Sequence, residues 1–252
     1  MDDVSYSQRA ERDASDSSGF DKLQEQRKDS IPEMGHKTVL VICAHSDDEI
    51  LGPGATLAKF ASEGAKVLTY IMSYGEMTPM WIKHKYTQQT RKEEAEKADK
   101  IIGGSGVEFF GLKEGRFLKE AEEHGIYQRI HDIIKKEKPS IIFTHMAEDP
   151  HKDHKDTLAI VKDIVKGFKV EERPDIYAFG IWNPFQLYRR APHLVVDVSK
   201  TFKKKRKAME CFKSQGLVIL QLTPGIVVRA KFNGFMRGFS YAEVFRKVYV
   251  DG

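Results

Sequence analysis

Cysteine is scarce in this sequence, long apolar segments are missing, and neither sign of charge is in large excess. The two cysteines, Cys43 and Cys211, lie far apart and form no CxxC pair. A disulfide framework is therefore not expected. No apolar stretch approaches the roughly 18 residues that cross a bilayer, so no membrane span is predicted. The formal net charge of +4 is small for 252 residues and predicts no nucleic-acid partner.

Composition and the N-terminal segment indicate a globular protein with a polar arm. Apolar residues make up 40% of the chain and charged residues 31%, as in folded rather than disordered proteins. Residues 1–36 are rich in Ser, Asp, Glu, Arg and Gln and lack apolar periodicity, so we expect a flexible arm. The opening residues MDDVSYSQRAERDASDSSG are polar where a signal peptide would be apolar. Together with the low cysteine content, this predicts a cytoplasmic protein.

Residues 37–252 are predicted to form one α/β domain in which strands and helices alternate. Apolar runs of strand length, TVLVICA first among them, are separated by segments with helical spacing. We predict strands over 38–44, 65–74, 107–112 and 140–146, helices over 54–64, 91–104, 124–139 and 153–168, and a polar loop over 75–89. This order is typical of a Rossmann-like, mostly parallel sheet with helices on both faces and right-handed crossovers.

The pattern is less regular beyond Gly180. The predicted elements there are strands over 176–182 and 193–199, a helix over 200–216, and a mixture of short strand and helix over 225–250. The run KKKRK within that helix is interpreted as a solvated helix face. No internal repeat and no second domain boundary are visible.

Two polar clusters follow apolar strands of this predicted sheet. The first, after strand one, contains His45, Asp47, Asp48 and Glu49, and the second occupies 148–154, after strand four. Ligands of open α/β sheets bind at the carboxyl ends of the strands. Strands one and four are commonly neighbours in such sheets, so we expect the two clusters to converge.

The residue types in these clusters are those of a catalytic metal site. One histidine and one aspartate from the first cluster, with one histidine from the second, provide three ligands and leave a position for water, as in catalytic zinc sites. The ion acidifies that water, and a second carboxylate beside it is a natural general base. Spacing alone does not decide which of Asp47 and Asp48 binds the metal and which is the general base. His151 and His154 both face the site, one as ligand and one towards a substrate carbonyl, with Asp153 holding an imidazole tautomer.

The same residue types also occur in other kinds of site. A lone histidine at a strand end is commonly structural, and two acids after a strand commonly cap a helix. The clustered acids and histidines also suit a metal-dependent phosphoesterase, although ligands for only one ion are evident. A non-catalytic, Rossmann-like metal-binding module is the third alternative, but it has no use for a spare carboxylate. Two clusters at matching strand ends favour the catalytic metal site.

Several segments resemble the LmbE-like, GlcNAc-phosphatidylinositol de-N-acetylase superfamily. AHSDDEILGPG resembles the motif A-H-P-D-D-E followed by glycines, and HKDH resembles H-P-D-H. Arg91 with Glu94, the stretch DVSKTFKKKRKAMECFKSQ and the segment YAEVF match further positions, so the likeness covers about residues 38–246. Ser46 and Lys152 stand where the motifs usually have proline, and Pro53 interrupts the usual glycine pair. None of these departures removes a ligand or a base.

The resemblance implies a zinc-dependent N-deacetylase that releases acetate from an N-acetylglucosamine-type sugar. It implies His45, Asp48 and His154 as zinc ligands and Asp47 as the general base. It also implies His151 as the residue that stabilises the oxyanion, with Asp153 as its orienting partner, and Arg91 in substrate binding. Histidine and carboxylate ligands also suit Fe²⁺, Mn²⁺ or Co²⁺. A homo-oligomer is compatible with the resemblance, which does not fix the number of subunits.

Overall fold

A seven-stranded sheet organises the computed structural model, which describes residues 34–75, 84–182 and 193–250. The strands are β1 (Thr38–Cys43), β2 (Lys66–Ile71), β3 (Val107–Phe109), β4 (Ile141–His145), β5 (Asp175–Phe179), β6 (His193–Asp197) and β7 (Ala242–Val248). Their spatial order is β3-β2-β1-β4-β5-β7-β6. The first five pair in parallel, whereas β7 is antiparallel to both β5 and β6. The predicted mostly parallel α/β sheet is therefore confirmed.

The central strand β1 explains why its sequence is a continuous apolar run. It pairs with β2 on one side and with β4 on the other, so the predicted contact between strands one and four is confirmed. Leu40 and Ile42 face one side of the sheet and pack in a core with residues of α5 and α6. On the other side, the rings of Phe60 and Phe143 lie 6.3 Å apart. A strand buried on both faces has no place for polar side chains.

Eight α-helices are described, and they cover both faces of the sheet. They are α1 (Asp48–Leu51), α2 (Gly54–Ser62), α3 (His84–Ile102), α4 (Phe117–Glu123), α5 (Ile126–Glu137), α6 (Lys152–Lys166), α7 (Phe202–Met209) and α8 (Gly216–Phe235). Short 3-10 helices span Val170–Glu172 and Lys213–Gln215.

Some predicted boundaries were wrong. Helix α3 begins at His84, inside the predicted loop, whose residues 76–83 lie outside the described part of the chain. Helix α4 was not predicted. The mixed pattern over 225–250 resolves into the second half of α8 followed by β7. Because β7 inserts between β5 and β6, the less regular C-terminal part belongs to the same sheet.

The predicted arm lies mostly outside the described residues, which begin at Met34. Met34 itself is buried, and the backbone N–H of His36 donates to the carbonyl of Gly64. Among the described helices, no single one is long and apolar enough to cross a membrane. Only α7 and the segment Lys213–Phe235 pass that test together, as a pair bent by 78°.

Candidate metal centre and active site

The turn after β1 has an unusual backbone. Asp47 has a φ of 116°, a left-handed conformation that residues other than glycine seldom adopt. The turn is held by its own side chains: Glu49 accepts a 2.9 Å hydrogen bond from the backbone N–H of Asp47. Ser46 is fully buried, and its hydroxyl donates a long 3.4 Å bond to the carbonyl of Arg91. Such strain persists only where surrounding contacts over-determine it, as in active sites.

Asp48 lies at the centre of a histidine cluster. Its Oδ2 atom is 3.5 Å from Nδ1 of His45 and 3.5 Å from Nε2 of His154. The same atom is 3.3 Å from Nε2 of His145 and accepts a 2.8 Å hydrogen bond from the backbone N–H of His45. These residues come from the ends of β1 and β4 and from α6, so the two sequence clusters do converge.

A second carboxylate stands behind each of two histidines. Oδ2 of Asp153 is 3.3 Å from Nε2 of His45, and Asp153 is fixed by a 2.8 Å bond from the backbone N–H of Gly115. Oδ1 of Asp149 is 3.0 Å from Nδ1 of His154. A carboxylate behind a histidine orients the ring and raises its basicity, an arrangement typical of histidine metal ligands.

The separations around Asp48 Oδ2 are those found between the ligand atoms of a divalent ion. Zinc binds histidine nitrogen and carboxylate oxygen at about 2.0–2.2 Å, so ligand atoms of a tetrahedral site lie ~3.3–3.5 Å apart. The two 3.5 Å separations around Asp48 Oδ2 match this edge. Two overlapping groups of metal-ligating side chains, His45–His151–His154 and Asp48–His145–His154, occur among the described residues and share His154. Because they share a member, the arrangement suits one ion rather than two.

The electrostatics of the cluster favour added positive charge. Burial lowers the pKa of His45, but bonds to Asp153 and Asp48 outweigh burial and raise that pKa to about 10. Burial raises the pKa of Asp48, yet the charges of His154 and His145 outweigh it and hold the pKa well below its usual range. His45 therefore holds its proton tightly while Asp48 keeps its negative charge, so the carboxylate at the centre of the cluster is a strong attractor for a cation.

The two neighbouring acids behave differently from Asp48. Burial, followed by the charges of Asp48 and Glu49, raises the pKa of Asp47 well above its usual range. Burial also raises the pKa of Glu49 to about 8, against the opposing effect of backbone N–H groups. The local environment thus separates Asp47 from Asp48, which their spacing in the sequence could not do.

A cleft of about 200 Å³ opens over the cluster. It is lined by the predicted site residues His45, Asp47, Asp48, Arg91, His151 and His154, together with others that include Glu114, Trp182 and Leu222. Arg91 is buried, and its Nε and Nη1 atoms have no hydrogen-bond partner among the described residues. The carboxylate of Asp153 does not reach His151; instead the backbone N–H of Asp153 donates to Nδ1 of His151 at 3.2 Å.

Comparison with known proteins identifies the family of the segment that contains this site. The sequence model of the family described as PIG-L: GlcNAc-PI de-N-acetylase matches residues 40–165, half of the 252-residue chain. The chain belongs to this family. The matched residues include both polar clusters and the strands β1 and β4 that bring them together.

Relatives of this de-N-acetylase family member carry more than one activity in their names. It is 29% identical over 196 residues to the 4-oxalmesaconate hydratase of Pseudomonas putida, covering 71% of this chain and 74% of that one. It is 27% identical over 191 residues to a probable N-acetyl-alpha-D-glucosaminyl L-malate deacetylase 2 of Bacillus cereus, covering 73% and 86%. It is 28% identical over 232 residues to the diacetylchitobiose deacetylase of Thermococcus kodakarensis, covering 84% and 83%.

Solved structures share the fold. The 4-carboxy-2-hydroxymuconate hydratase of Pseudomonas putida has a TM-score of 0.71 at 24% identity, covering 86% of this chain and 98% of that one. The N,N'-diacetylchitobiose deacetylase of Pyrococcus horikoshii has a TM-score of 0.70 at 22% identity, covering 92% of both chains. At these identities the likeness establishes the α/β architecture and no more.

His145 and Asp149, two residues of the histidine cluster around Asp48, receive no role from the sequence. His145 is fully buried, its Nε2 accepts a 3.0 Å bond from the backbone N–H of Ala44, and its ring stacks on His154 with centroids 3.8 Å apart. Burial, followed by the charge of His154, lowers the pKa of His145 to about 4. Its stacked, fully buried ring supports the ring of His154. The only sequence feature that could have indicated a role for Asp149 is that it is a carboxylate five positions before His154.

The basic run in α7 was only partly interpreted correctly. Lys203, Lys204, Arg206 and Lys207 are exposed, but Lys205 is fully buried. Its ammonium donates to the carbonyls of Leu51 and Gly52, each at 2.8 Å, and to Oε1 of Glu243 at 2.6 Å. Oε2 of Glu243 in turn accepts bonds from the backbone N–H and the hydroxyl of Thr56. This Lys205–Glu243 pair fastens the segment between α1 and α2, next to the metal cluster.

Proposed function

We propose that this protein is a metal-dependent N-deacetylase that hydrolyses the acetamide of an N-acetylated amino sugar or its conjugate. The observation that carries the proposal is the position of Asp48 Oδ2, 3.5 Å from a nitrogen of His45 and 3.5 Å from a nitrogen of His154. Asp47, a carboxylate outside this ligand set, lines the same cleft. Three ligands with a spare carboxylate are the parts of a catalytic rather than a structural metal site.

The three ligands we assign to the ion are His45, Asp48 and His154, with zinc as the expected metal. Iron, manganese and cobalt in the divalent state suit the same nitrogen and oxygen donors. When bound, such an ion polarises a carbonyl and makes hydroxide available near neutral pH. Asp153 and Asp149 hold the rings of the two histidine ligands.

The remaining cleft residues supply proton transfer and binding. Asp47 takes the proton of the attacking water and delivers it to the departing amine, so the products are acetate and a free amino group. His151 donates to the developing oxyanion from the rim of the site. Arg91 is buried beside the cleft, and its Nε and Nη1 atoms, which have no partner among the residues the structure describes, bind polar or anionic groups of the substrate. The sugar deacetylases among the relatives support an N-acetylglucosamine-type substrate.

The experiment that tests this function joins metal analysis to acetate release. The purified, metal-loaded protein is offered a panel of N-acetyl sugars and their conjugates. Asp47→Asn is expected to retain one ion per chain and to lose turnover by roughly 100-fold or more. His154→Ala is expected to lose the ion.

Matched variants control for general damage. Asp132→Asn changes an exposed carboxylate of α5, and His124→Ala changes an exposed histidine at the end of α4. Both should keep metal and activity. Full activity of Asp47→Asn, or a wild-type protein that binds no divalent ion, would overturn the proposal.

A second candidate is the addition of water to the carbon–carbon double bond of an unsaturated oxo-acid. The similarity to the 4-oxalmesaconate hydratase favours it, at 29% identity over 196 residues. The Nε and Nη1 atoms of Arg91, which have no hydrogen-bond partner in the described part of the chain, also suit a carboxylate. The two activities are separated by offering both substrate classes to one preparation and following acetate release and the ultraviolet absorbance of the oxo-acid. Loss of absorbance without acetate release would assign the protein to the hydratases.

A further inference from the structure

Helix α8 carries an apolar stripe that nothing in the described chain covers. Its buried residues, Ile226, Ala230 and Gly234, lie on one side of the helix. The opposite side presents the stripe, made of Leu217, Leu220, Pro224, Val228, Phe232 and Phe235, all of which are exposed. Leu217 is 85% exposed, Leu220 72% and Phe235 81%. A helix that is apolar on all sides is normally buried on all sides, so the stripe indicates a missing partner.

The spacing of the stripe is the same read from either end. The steps between its members are three, four, four, four and three residues, so it is symmetric about residue 226. In an antiparallel pair of α8 helices related by a twofold axis at that level, Leu217 faces Phe235 of the other copy. Leu220 likewise faces Phe232, and Pro224 faces Val228. The six stripe residues of each copy then meet apolar against apolar, as an interface that matches itself requires.

The one charge within the stripe supports the antiparallel arrangement. Lys231 lies between Val228 and Phe232 on the exposed side, and the position opposite it in the antiparallel pair is Gln221. In a parallel pair, Lys231 would face its own copy and the like charges would repel. The other cation of the helix, Arg229, is turned to the body, where it donates to the carbonyl of Gly180 at 2.8 Å.

The same pattern does not suit a lipid surface. Helices that lie in a membrane interface carry their lysines and arginines on the face away from the lipid. In α8 that face packs against the protein, and Lys231 lies inside the apolar stripe, where insertion would bury its charge among acyl chains.

We infer that two copies of this chain form a twofold dimer through antiparallel packing of their α8 stripes. Because Val218 and Leu222 in the first half of α8 line the cleft, the far end of the partner's α8 then borders the cleft mouth. The inference does not depend on which reaction the site catalyses.

Sedimentation velocity of the full chain tests the interface. The wild type is expected at twice the chain mass or an even multiple of it. Leu220→Glu should weaken self-association by roughly 30-fold or more, because it buries a carboxylate against an apolar side chain. Val170→Glu, which charges an equally exposed apolar residue outside α8, should leave the mass unchanged. Thermal unfolding of each variant confirms that the chain is folded.

A charge pair determines the direction of packing. Leu220→Glu combined with Phe232→Lys in one chain is expected to restore the dimer, because the introduced charges meet across the antiparallel interface. Within one helix these positions are twelve residues, about 18 Å, apart and do not meet. A monomeric wild type, or an oligomer that survives Leu220→Glu, would overturn the inference. Sedimentation of the wild type, but not Leu220→Glu, with anionic phosphatidylserine vesicles would assign the stripe to lipid instead.

Discussion

At the scale of single residues, the carboxylates behind the histidines are expected to set metal affinity. Asp149 and Asp153 touch His154 and His45 but are not ligands in our assignment. Asp149→Asn and Asp153→Asn should each weaken metal binding by about 10–100-fold, because the ring loses its negatively charged partner. Competition with a chelating dye measures the affinity. Asp132→Asn, at an exposed position of α5, is the matched control, and equal affinity in all variants would contradict the assigned roles.

A second prediction at this scale concerns Asp99, a buried acid of α3. A methyl group added at Gly104 would lie 1.8 Å from its Oδ1 atom, so the carboxylate fills that space. Burial raises its pKa from 3.8 to about 6, and a bond from the N–H of Gly106 offsets this only in part. The folded state therefore binds this proton more tightly than the unfolded state. The stability that the protonated group contributes is complete below about pH 4 and lost as the pH rises through 6.

Asp99→Asn should remove this dependence. Relative to the wild type, the variant is expected to gain stability between pH 4 and pH 7, since an amide carries no charge to desolvate. Urea unfolding at several pH values gives the difference. A difference between the two proteins that stays constant with pH would refute the prediction.

The sequence was most informative about residues that directly follow the predicted strands. His45, Asp48 and His154 could be placed together because each follows a strand, and parallel strands end at one edge. His145 could not, because a histidine within an apolar strand looks like any other buried polar residue. The contact between Asp153 and His45, rather than His151, depends on side-chain orientation across two loops. Local sequence carries no record of that orientation.

At the scale of secondary-structure elements, the buried pair Lys205–Glu243 joins α7 and β7 to the turn between α1 and α2. Lys205→Met is expected to destabilise the fold by about 3–5 kcal/mol, because the carboxylate of Glu243 is left buried without its partner. Lys204→Met, one position earlier and exposed, should cost less than about 0.5 kcal/mol. Guanidinium unfolding compares the two. Equal effects would mean that the pair adds nothing to the attachment of the turn.

Prediction from sequence failed where an element depends on distant contacts. Gly216, Pro224 and Gly225 all disfavour helix, yet α8 continues through them because Ile226 and Ala230 pack against the body. Nothing local in β7 shows that it enters the sheet between β5 and β6. The alternation of β1 to β4 with their helices could be predicted, since each step joins neighbours in the chain.

At the scale of the whole molecule, metal binding and folding are expected to be coupled. An ion that binds only the folded chain at 100 times its dissociation constant adds about 2.7 kcal/mol of stability. For a protein of this size that raises the melting temperature by about 5–10 °C. Scanning calorimetry with zinc and with a chelator measures the shift. His154→Ala should show none, and a shift of the same size in that variant would mean that the ion binds elsewhere.

The position of β7 at the end of the chain order has a consequence for how the enzyme is made. Thr56, beside the metal-binding turn, precedes Glu243 of β7 by 187 residues. At about 5–20 residues per second, a ribosome takes roughly 10–40 seconds to cover that stretch. At first the turn lacks both Lys205 and Glu243, and after Lys205 has been synthesised it still lacks Glu243. The turn is therefore not yet held in place. A nascent chain therefore brings the residues of the candidate metal site into their final positions only once translation has passed β7.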